Sequence, residues 1–354
     1  MQLNFGEILK ILAQEETISD IHIAAWEPII FRQNGDIARQ TQRATMTQED
    51  VTEILVFLLN HDQRRVSEFW NAKDMDFSYT VPKGPSYRVN VALSLGKLSI
   101  AMRKINSKAK HLEELMYQDI AQSVKDNILH KKAWLYLVNW PTGSGKSTSI
   151  VSMLQYLNDQ RHSHIVTIED PIEFMFTPSK SLITQREVWL DTDSFAAALR
   201  SAMRQDPNII LIGEIRDKHT AEAAINMAET WHIVFSTLHT SSAAATVNRY
   251  IWFFEPEIQQ IIADRLADCL LGAQCQYLVK TADGKNRVGV YELMINTTAV
   301  RNNIKKRELK QIDSTIETSA NSWMISMKSY AKRLLDQWIV QKKDMERLFG
   351  IDQT

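Results

Sequence analysis

Residues 141–148 read Pro-Thr-Gly-Ser-Gly-Lys-Ser-Thr, and this stretch decides the fold that we expect. A glycine-containing loop that ends in Gly-Lys-Ser lets main-chain N–H groups surround the phosphates of a nucleotide. The lysine then reaches the β and γ oxygens, and the serine hydroxyl can hold Mg²⁺. We therefore expect ATP and Mg²⁺ to bind here, with Ser147 as the metal ligand. The expected nucleotide-binding residues are Thr142, Gly143, Ser144, Gly145, Lys146, Ser147 and Thr148.

The segments on either side of this loop have the patterns that such a motif needs. Residues 135–138 form a short apolar run that is typical of a buried strand, and residues 149–157 have helical apolar spacing. A helix that begins at the loop adds a favourable field for an anion. One position departs from the pattern, because G-x-x-x-x-G-K-[ST] requires glycine at residue 140 and this sequence has Trp140.

Tryptophan and glycine are unusually distributed along the whole chain. There are 9 Trp and only 11 Gly among 354 residues, so glycine makes up about 3% where about 7% is usual. Trp231 and Trp338 each follow a predicted helix and precede a strand-like run, which is the C′ position that favours glycine. Trp26 lies in a predicted turn, and Trp134 and Trp140 bracket the strand before the phosphate loop.

These positions lead to the hypothesis that the nine tryptophans are glycines in the living cell. Some bacterial lineages read the codon UGA as glycine, and translation with UGA as tryptophan would give this signature. The hypothesis rests mainly on Trp134, Trp140, Trp189 and Trp231, and less on Trp70, Trp252 and Trp323. The alternative is that the tryptophans are genuine and that the nucleotide site is damaged.

Length and composition are those of a globular protein with room for two domains. Charged residues make up 23% and hydrophobic residues 44%, and the formal charge of −1 gives no basic excess for nucleic acid. No apolar run approaches the roughly 20 residues of a membrane helix, and the N-terminus lacks a signal peptide's order of residues. We therefore expect a cytoplasmic protein that meets the inner membrane only through partners. We expect Cys269 and Cys275 to fill space within an apolar helix.

The apolar patterns divide the chain into two predicted domains. Residues 1–104 are predicted to form a small α+β domain, 105–118 a linker, and 119–354 an α/β domain with a helical C-terminal part. Nearly continuous apolar strands that alternate with helices predict a mainly parallel sheet covered on both faces. The predicted strands are residues 135–138, 165–168, 209–212 and 233–236, and beyond residue 255 one further strand candidate lies at 288–292.

Three polar motifs follow predicted strands, at the edge where ligands bind in open α/β sheets. Glu169 and Asp170 come directly after residues 165–168, although Asp-Pro is also a common turn starter. Glu214 follows four apolar residues and a glycine, the arrangement that places a carboxylate beside a Mg²⁺–phosphate site. His239 follows the next strand, where a lone histidine is more often a structural residue than a catalyst.

In this order and spacing, the four motifs resemble those of the secretion-type ring ATPases. Within that superfamily the chain is most similar to the type IV pilus retraction ATPases. The resemblance extends from residues 19–23 (Ser-Asp-Ile-His-Ile) to residues 299–304 (Ala-Val-Arg-Asn-Asn-Ile), where Val300 and Asn303 depart from the family signature. Several of the family's glycines fall on tryptophans in this sequence.

The resemblance implies a PAS-like first domain, a RecA-like P-loop ATPase domain and a homo-hexamer that drives pilus retraction, and hence twitching motility, through an inner-membrane platform protein. By that likeness Glu169 assists at the metal or water, Glu214 in the Walker B motif orients the attacking water, and His239 senses the γ-phosphate. Arg88 and Arg103 match the family's charge-stabilising arginines, although a solvated strand face is the commoner role of such residues. Neither nucleic acid nor a direct membrane span is expected.

Three other functions remain open from the sequence. A pilus-extension or type II secretion ATPase would usually be longer at the N-terminus and carry a four-cysteine zinc module, and this sequence shows neither. A DNA-translocating motor should have a basic pore or groove, which the charge balance disfavours. A non-hydrolysing accessory subunit becomes the preferred interpretation if Trp140 is genuine, because an indole there would crowd the phosphate loop.

Overall fold

The computed structural model of the chain describes residues 5–6, 9, 15, 18–33, 36–39, 45–82, 84–139, 144–318 and 323–350. The chain divides into two compact units. The first comprises Met1–Ser107 with Asp170–Met175 and Trp189–Asp191, and the second comprises Lys108–Glu169, Phe176–Val188 and Thr192–Thr354. The first unit therefore includes two short segments that are separated from the rest of it in the sequence.

The first unit is built on a six-stranded antiparallel sheet with the strand order β3-β2-β1-β6-β5-β4. Side chains alternate between its two faces, and Ile21, Val89 and Ile100 contribute to the core beneath helices α1 and α2. Helix α1 begins at a capping box in which Thr47 and Asp50 exchange hydrogen bonds. The elements are β1 Ile18–Ala24, β2 Ile30–Gln33, β3 Asp36–Arg39, α1 Gln48–Leu58, α2 Gln63–Ala72, β4 Asp74–Thr80, β5 Ser86–Ser94 and β6 Lys97–Lys104.

The second unit is built on a seven-stranded sheet with the order β13-β12-β7-β11-β10-β8-β9. Within the described residues, each neighbouring pair of strands from β12 to β9 is parallel, whereas the β12–β13 pair at the edge is antiparallel. The predicted fold class, a mainly parallel α/β sheet preceded by a smaller α+β unit, is confirmed. The strands are β7 Trp134–Asn139, β8 His164–Glu169, β9 Leu182–Glu187, β10 Ile209–Ile212, β11 Ile233–Leu238, β12 Leu270–Lys280 and β13 Arg287–Ile295.

Helices of the second unit connect these strands and cover the sheet. Among the residues that the structure describes, none of the helices combines the length and the apolar character that a bilayer crossing requires. The helices are α3 Leu112–Leu115, α4 Gln118–Val124, continued by a π-helical turn at Lys125–Leu129, α5 Lys146–Gln160, α6 Phe195–Ala202, α7 Lys218–Glu229, α8 Ala243–Ile251, α9 Gln259–Cys269, α10 Thr298–Lys305, α11 Lys310–Thr318, α12 Met327–Asp336 and α13 Lys342–Phe349.

Two strands of the second sheet were missed by sequence reasoning. β9 is a half-buried edge strand with the polar sequence Thr-Gln-Arg-Glu at its end, so it lacks the apolar pattern of a strand. β12 lies in a region predicted to be mainly helical, and it carries two buried glutamines that break the apolar alternation. The prediction that both cysteines fill an apolar helix is wrong for Cys275, which lies in β12, whereas Cys269 ends α9.

Five of the eight tryptophans within the described residues have a left-handed backbone, with φ between 58° and 72°. Trp231 and Trp338 occupy C′ positions as predicted, and each closes a Schellman motif, in which the next residue donates to a carbonyl in the last turn of the helix. At about 1–2 kcal/mol each, five such residues would cost about 5–10 kcal/mol, close to the whole stability of a domain. The five are Trp26, Trp189, Trp231, Trp323 and Trp338.

The remaining tryptophans divide into three cases. Trp134 is buried in β7, and its indole nitrogen finds no hydrogen-bond partner among the described residues, which is unfavourable for a buried donor. Trp70 lies within α2 and Trp252 caps α8 at φ −72°, so backbone conformation does not favour glycine at either position. Trp140 lies outside the described residues. The glycine hypothesis thus gains support at Trp323, which the sequence alone had ranked lower.

Candidate active site

Four neighbouring parallel strands carry the predicted motifs at their carboxyl ends. β7 leads into the phosphate loop, β8 ends at Glu169, β10 is followed by Glu214, and β11 is followed by His239. In the sheet their order is β7-β11-β10-β8, so one strand separates the phosphate-loop strand from the strand that carries Glu214. Because parallel strands present their carboxyl ends at one edge, the fold gathers these side chains on one side of the second unit.

The described part of the phosphate loop joins directly onto helix α5. Gly145 is the N-cap of α5 and has φ 87°, a conformation that strains any residue with a side chain. Ser147 and Thr148 follow in the first turn with exposed side chains, so the Ser147 hydroxyl suits the predicted contact with Mg²⁺. Thr142 and Gly143 lie outside the described residues.

Lys146, His239 and Glu214 form a continuous chain of polar contacts. The Lys146 ammonium group lies 3.4 Å from Nδ1 of His239, and Nε2 of His239 lies 3.1 Å from Oε1 of Glu214. An ammonium group only donates hydrogen bonds, so Nδ1 accepts and the imidazole carries its proton on Nε2. The structure therefore brings together three of the residues that the sequence singled out separately.

Arg216 is a participant that sequence reasoning missed. Its Nε and Nη2 atoms both lie 2.8 Å from Oε2 of Glu214, opposite the oxygen that faces His239. The Glu214 carboxylate is thus held between an imidazole and a guanidinium group. The Glu-Ile-Arg sequence places the two charged side chains two residues apart in the segment that follows β10, and this spacing was the available signal for the pair.

Glu169 is more deeply placed than the other acidic residue of the site. It is 9% exposed, and its Oε1 accepts hydrogen bonds from Thr167 at 2.7 Å and from Gln185 at 3.4 Å. Gly213 packs against it so closely that a Cβ atom would lie 3.3 Å from the Glu169 Cα. Glycine at this position thus lets the ends of β8 and β10 approach each other, which fixes the spacing between Glu169 and the segment that carries Glu214.

The two predicted arginines lie in the first unit, directly opposite each other on β5 and β6. Arg103 pairs with Asp20 at 2.6 Å, Arg32 lies 3.7 Å from the same carboxylate, and Arg88 lies 3.7 Å from Glu173. The strand registers place Arg32, Asp20, Arg103 and Arg88 in one row across the sheet. This row is therefore a cationic stripe of three arginines with one acid, Asp20, inside it. Arg88 and Arg103 lie directly opposite each other, and such like-charge pairs are unfavourable.

The pKa of Asp20 is lowered by its immediate neighbours, of which one is an arginine of the stripe. Burial of the carboxyl group opposes ionisation, but the hydrogen bond from Ser19 and the hydrogen bond and charge of Arg103 outweigh it. The net result is a lowered pKa for Asp20. Ser19 and Arg103 together therefore favour the ionised form of Asp20.

Comparison with known proteins gives consistent results over nearly the full length. The family described as "Type II/IV secretion system protein" matches residues 7–335. A type IV pilus retraction ATPase of Pseudomonas aeruginosa is 37% identical over 342 residues, which cover 97% of each chain. A twitching motility protein of Neisseria gonorrhoeae is 38% identical over 334 residues, 94% of this chain and 87% of that protein. The crystal structure of a pilus retraction motor with bound ADP matches with a TM-score of 0.86 and 36% identity, over 98% of this chain and 96% of that one.

Proposed function

Because the chain belongs to the type II/IV secretion system protein family, we propose that it is an ATP-hydrolysing motor that drives type IV pilus retraction. The relatives that support this assignment match almost the entire chain rather than the ATPase fold alone. The observation that carries the catalytic part is the contact chain from Lys146 through His239 to Glu214. It joins the phosphate loop to a carboxylate at the edge of the same sheet.

The chemistry we propose is transfer of the γ-phosphoryl group of ATP to water. Lys146 binds the β and γ oxygens, and Glu214 orients a water molecule whose oxygen forms the new bond to phosphorus. The bond between the γ phosphorus and the β–γ bridging oxygen breaks, which yields ADP and inorganic phosphate. His239 contacts both groups and senses whether the γ-phosphate is present. Mg²⁺, when bound, neutralises charge on the phosphate oxygens, and Ser147 would hold it, with Glu169 assisting.

We further propose that the active assembly is a homo-hexamer with a PAS-like first domain and a RecA-like second domain. Arg88 and Arg103 would supply positive charge to the transferring phosphoryl group, which makes hydrolysis depend on closure of the ring. Hydrolysis and product release would then lower the fraction of subunits in the closed conformation. This change of conformation would move a platform protein in the inner membrane. The motor itself would be cytoplasmic and peripheral to that membrane.

The test separates nucleotide binding from hydrolysis with two variants. Lys146→Ala should weaken ADP binding and abolish ATP hydrolysis, because it removes the charge that faces the phosphates. Glu214→Gln should retain ADP binding and lose about 10²–10⁴-fold in kcat, the range for a positioned acid–base group. Pilus retraction in cells should stop with both variants. Normal retraction with Lys146→Ala would refute the motor assignment, and lost pilus extension with intact retraction would favour the extension alternative.

Position 140 decides between a hydrolysing motor and a non-hydrolysing accessory subunit. If glycine stands there in the cell, the protein with Trp140→Gly should bind ATP more tightly and hydrolyse it faster than the sequence as printed. Equal ATP binding by the two proteins would show that the indole does not disturb the loop. The gene gives a second test, because several UGG codons among the nine tryptophan positions would refute the glycine hypothesis.

A further inference from the structure

A chain of buried amide groups links the central strands of the second unit to the phosphate loop. The Tyr136 hydroxyl on β7 donates to Oε1 of Gln274 at 3.3 Å, and Nε2 of Gln274 donates to Oε1 of Gln276 at 2.9 Å. Nε2 of Gln276 then donates to the main-chain carbonyl oxygen of Ser144 at 2.9 Å. Because every donor points in the same direction, each bond polarises the next.

The glutamines stand in a part of the protein where apolar residues would be expected. Gln274 and Gln276 are each 1% exposed, and their spacing of two residues on β12 places both side chains on one face of the strand. A buried side-chain amide is unfavourable unless it is hydrogen-bonded. Both amides are bonded through this chain, and the chain ends on the phosphate loop.

We propose that Gln276 is a positioning residue that fixes the orientation of the peptide group between Ser144 and Gly145. In a trans peptide the C=O and N–H bonds point in opposite directions. A Ser144 carbonyl held towards β12 therefore directs the Gly145 N–H away from β12, and we take this to be the orientation in which the N–H meets phosphate. This proposal rests on the proposed nucleotide site and deepens it.

Gly145 explains why such a restraint is needed. Its φ of 87° requires glycine, and a Cβ atom there would lie 3.1 Å from the Gln276 amide nitrogen. Glycine thus lets the amide approach, but it also gives this part of the loop unusual conformational freedom. A donor fixed in the core removes that freedom before the nucleotide arrives, and preorganised N–H groups bind phosphate better than mobile ones.

The test compares two glutamines that differ in their contact with the loop. Gln276→Met preserves length and removes the donor to Ser144. Gln274→Met is the graded comparison, because it leaves the Gln276 donor to Ser144 in place and removes only the hydrogen bond that orients the Gln276 amide. The measurements are the dissociation constant for ADP, hydrogen exchange of the backbone amides of residues 144–150 without nucleotide, and the melting temperature.

Gln276→Met should raise the ADP dissociation constant about tenfold, which corresponds to about 1.4 kcal/mol, and should speed exchange in the loop. Gln274→Met should lower the melting temperature about as much as Gln276→Met does, but it should change the ADP affinity by less than about threefold. Should Gln276→Met not fold, Gln276→Leu also removes the donor to the Ser144 carbonyl without adding a buried charge, and it should weaken ADP binding by a similar factor.

Two results would overturn the positioning role of Gln276. One is unchanged ADP affinity and loop exchange in Gln276→Met, and the other is an equal loss of affinity in both methionine variants. If the unsubstituted protein binds no ADP, the proposed function fails. The exchange comparison would still decide whether Gln276 fixes the loop.

Discussion

The two units of the chain differ in where their charged side chains find partners. In the second unit, Lys146, His239, Glu214 and Arg216 contact one another at one sheet edge, so the groups that handle phosphate and water lie within a single fold. In the first unit the arginine row lies on an antiparallel sheet, and its acid Asp20 is buried. The second unit thus gathers the groups of the proposed site, whereas the positive charge of the first unit is already paired with acids of that unit, Asp20 and Glu173.

The largest expected effect concerns the arginines of the first unit. Arg103→Ala and Arg88→Ala should each lower kcat by about 10³-fold or more, the range for arginines that stabilise a transferring phosphoryl group, and should leave ADP affinity unchanged. Arg32→Ala is the matched control, because Arg32 lies in the same row and also faces Asp20. Steady-state ATPase assays and ADP titrations measure both quantities.

Two outcomes would change the comparison between the units. Unaltered kcat in both Arg88→Ala and Arg103→Ala would mean that the second unit is complete without the first. An equal loss in Arg32→Ala would assign the effect to the charge of the whole row rather than to two specific side chains. Thermal unfolding of each variant is needed as well, because removing Arg103 takes away the closest partner of a buried carboxylate.

Much of the second unit could be predicted because its signals are local. β10 is a continuous apolar run and β8 and β11 are mostly apolar, and an acid or histidine at the end of such a run marks the edge of the sheet. β12 was missed because two of its buried residues are glutamines, which hide the apolar pattern of a buried strand. Their burial is possible because they form hydrogen bonds with each other and with the phosphate loop. The partner of Gln276 is Ser144, 132 residues away, and no local pattern reports a contact at that separation.

Both units contain tryptophans with a left-handed backbone, and replacing such a tryptophan with glycine should stabilise either unit. Trp26→Gly in the first unit, and Trp231→Gly or Trp338→Gly in the second, should each add about 1 kcal/mol. The left-handed cost of about 1–2 kcal/mol is partly offset by the larger entropy of glycine in the unfolded chain. Melting temperatures should rise by about 2–4 °C per substitution.

Trp252→Gly is the matched control for these three substitutions. Trp252 is also exposed beside a helix end, but its φ of −72° suits any residue, so glycine there should bring no gain. Equal stabilisation by Trp252→Gly would show that the benefit comes from removing an exposed indole. The argument that left-handed backbone angles favour glycine at these positions would then fail.

The smallest expected effect is an opposite pH dependence of the two units. In the first unit the pKa of Asp20 is lowered, so its stabilising contribution is present above the unfolded pKa of about 3.9 and is lost as pH falls through the folded value. In the second unit burial raises the pKa of Glu292, which accepts a hydrogen bond from the Ala243 N–H at the start of α8. Its contribution is therefore full below the unfolded pKa of about 4.3 and is lost as pH rises through the folded value.

Glu292→Gln should raise the urea midpoint of the second unit at pH 7, because it removes a buried charge and keeps an oxygen for the Ala243 N–H. The gain should be small, because the amide has no second oxygen for the Met327 N–H, which also bonds Glu292. The gain should shrink as the pH approaches 4.5, where the native carboxyl group increasingly binds its own proton. Asp20→Asn should instead lower the midpoint of the first unit at pH 7, because Arg103 and Arg32 lose their shared anion. One carboxyl group is kept ionised by Ser19 and Arg103, and the ionisation of the other is opposed by burial. If both variants shift stability in the same direction at neutral pH, this contrast does not hold.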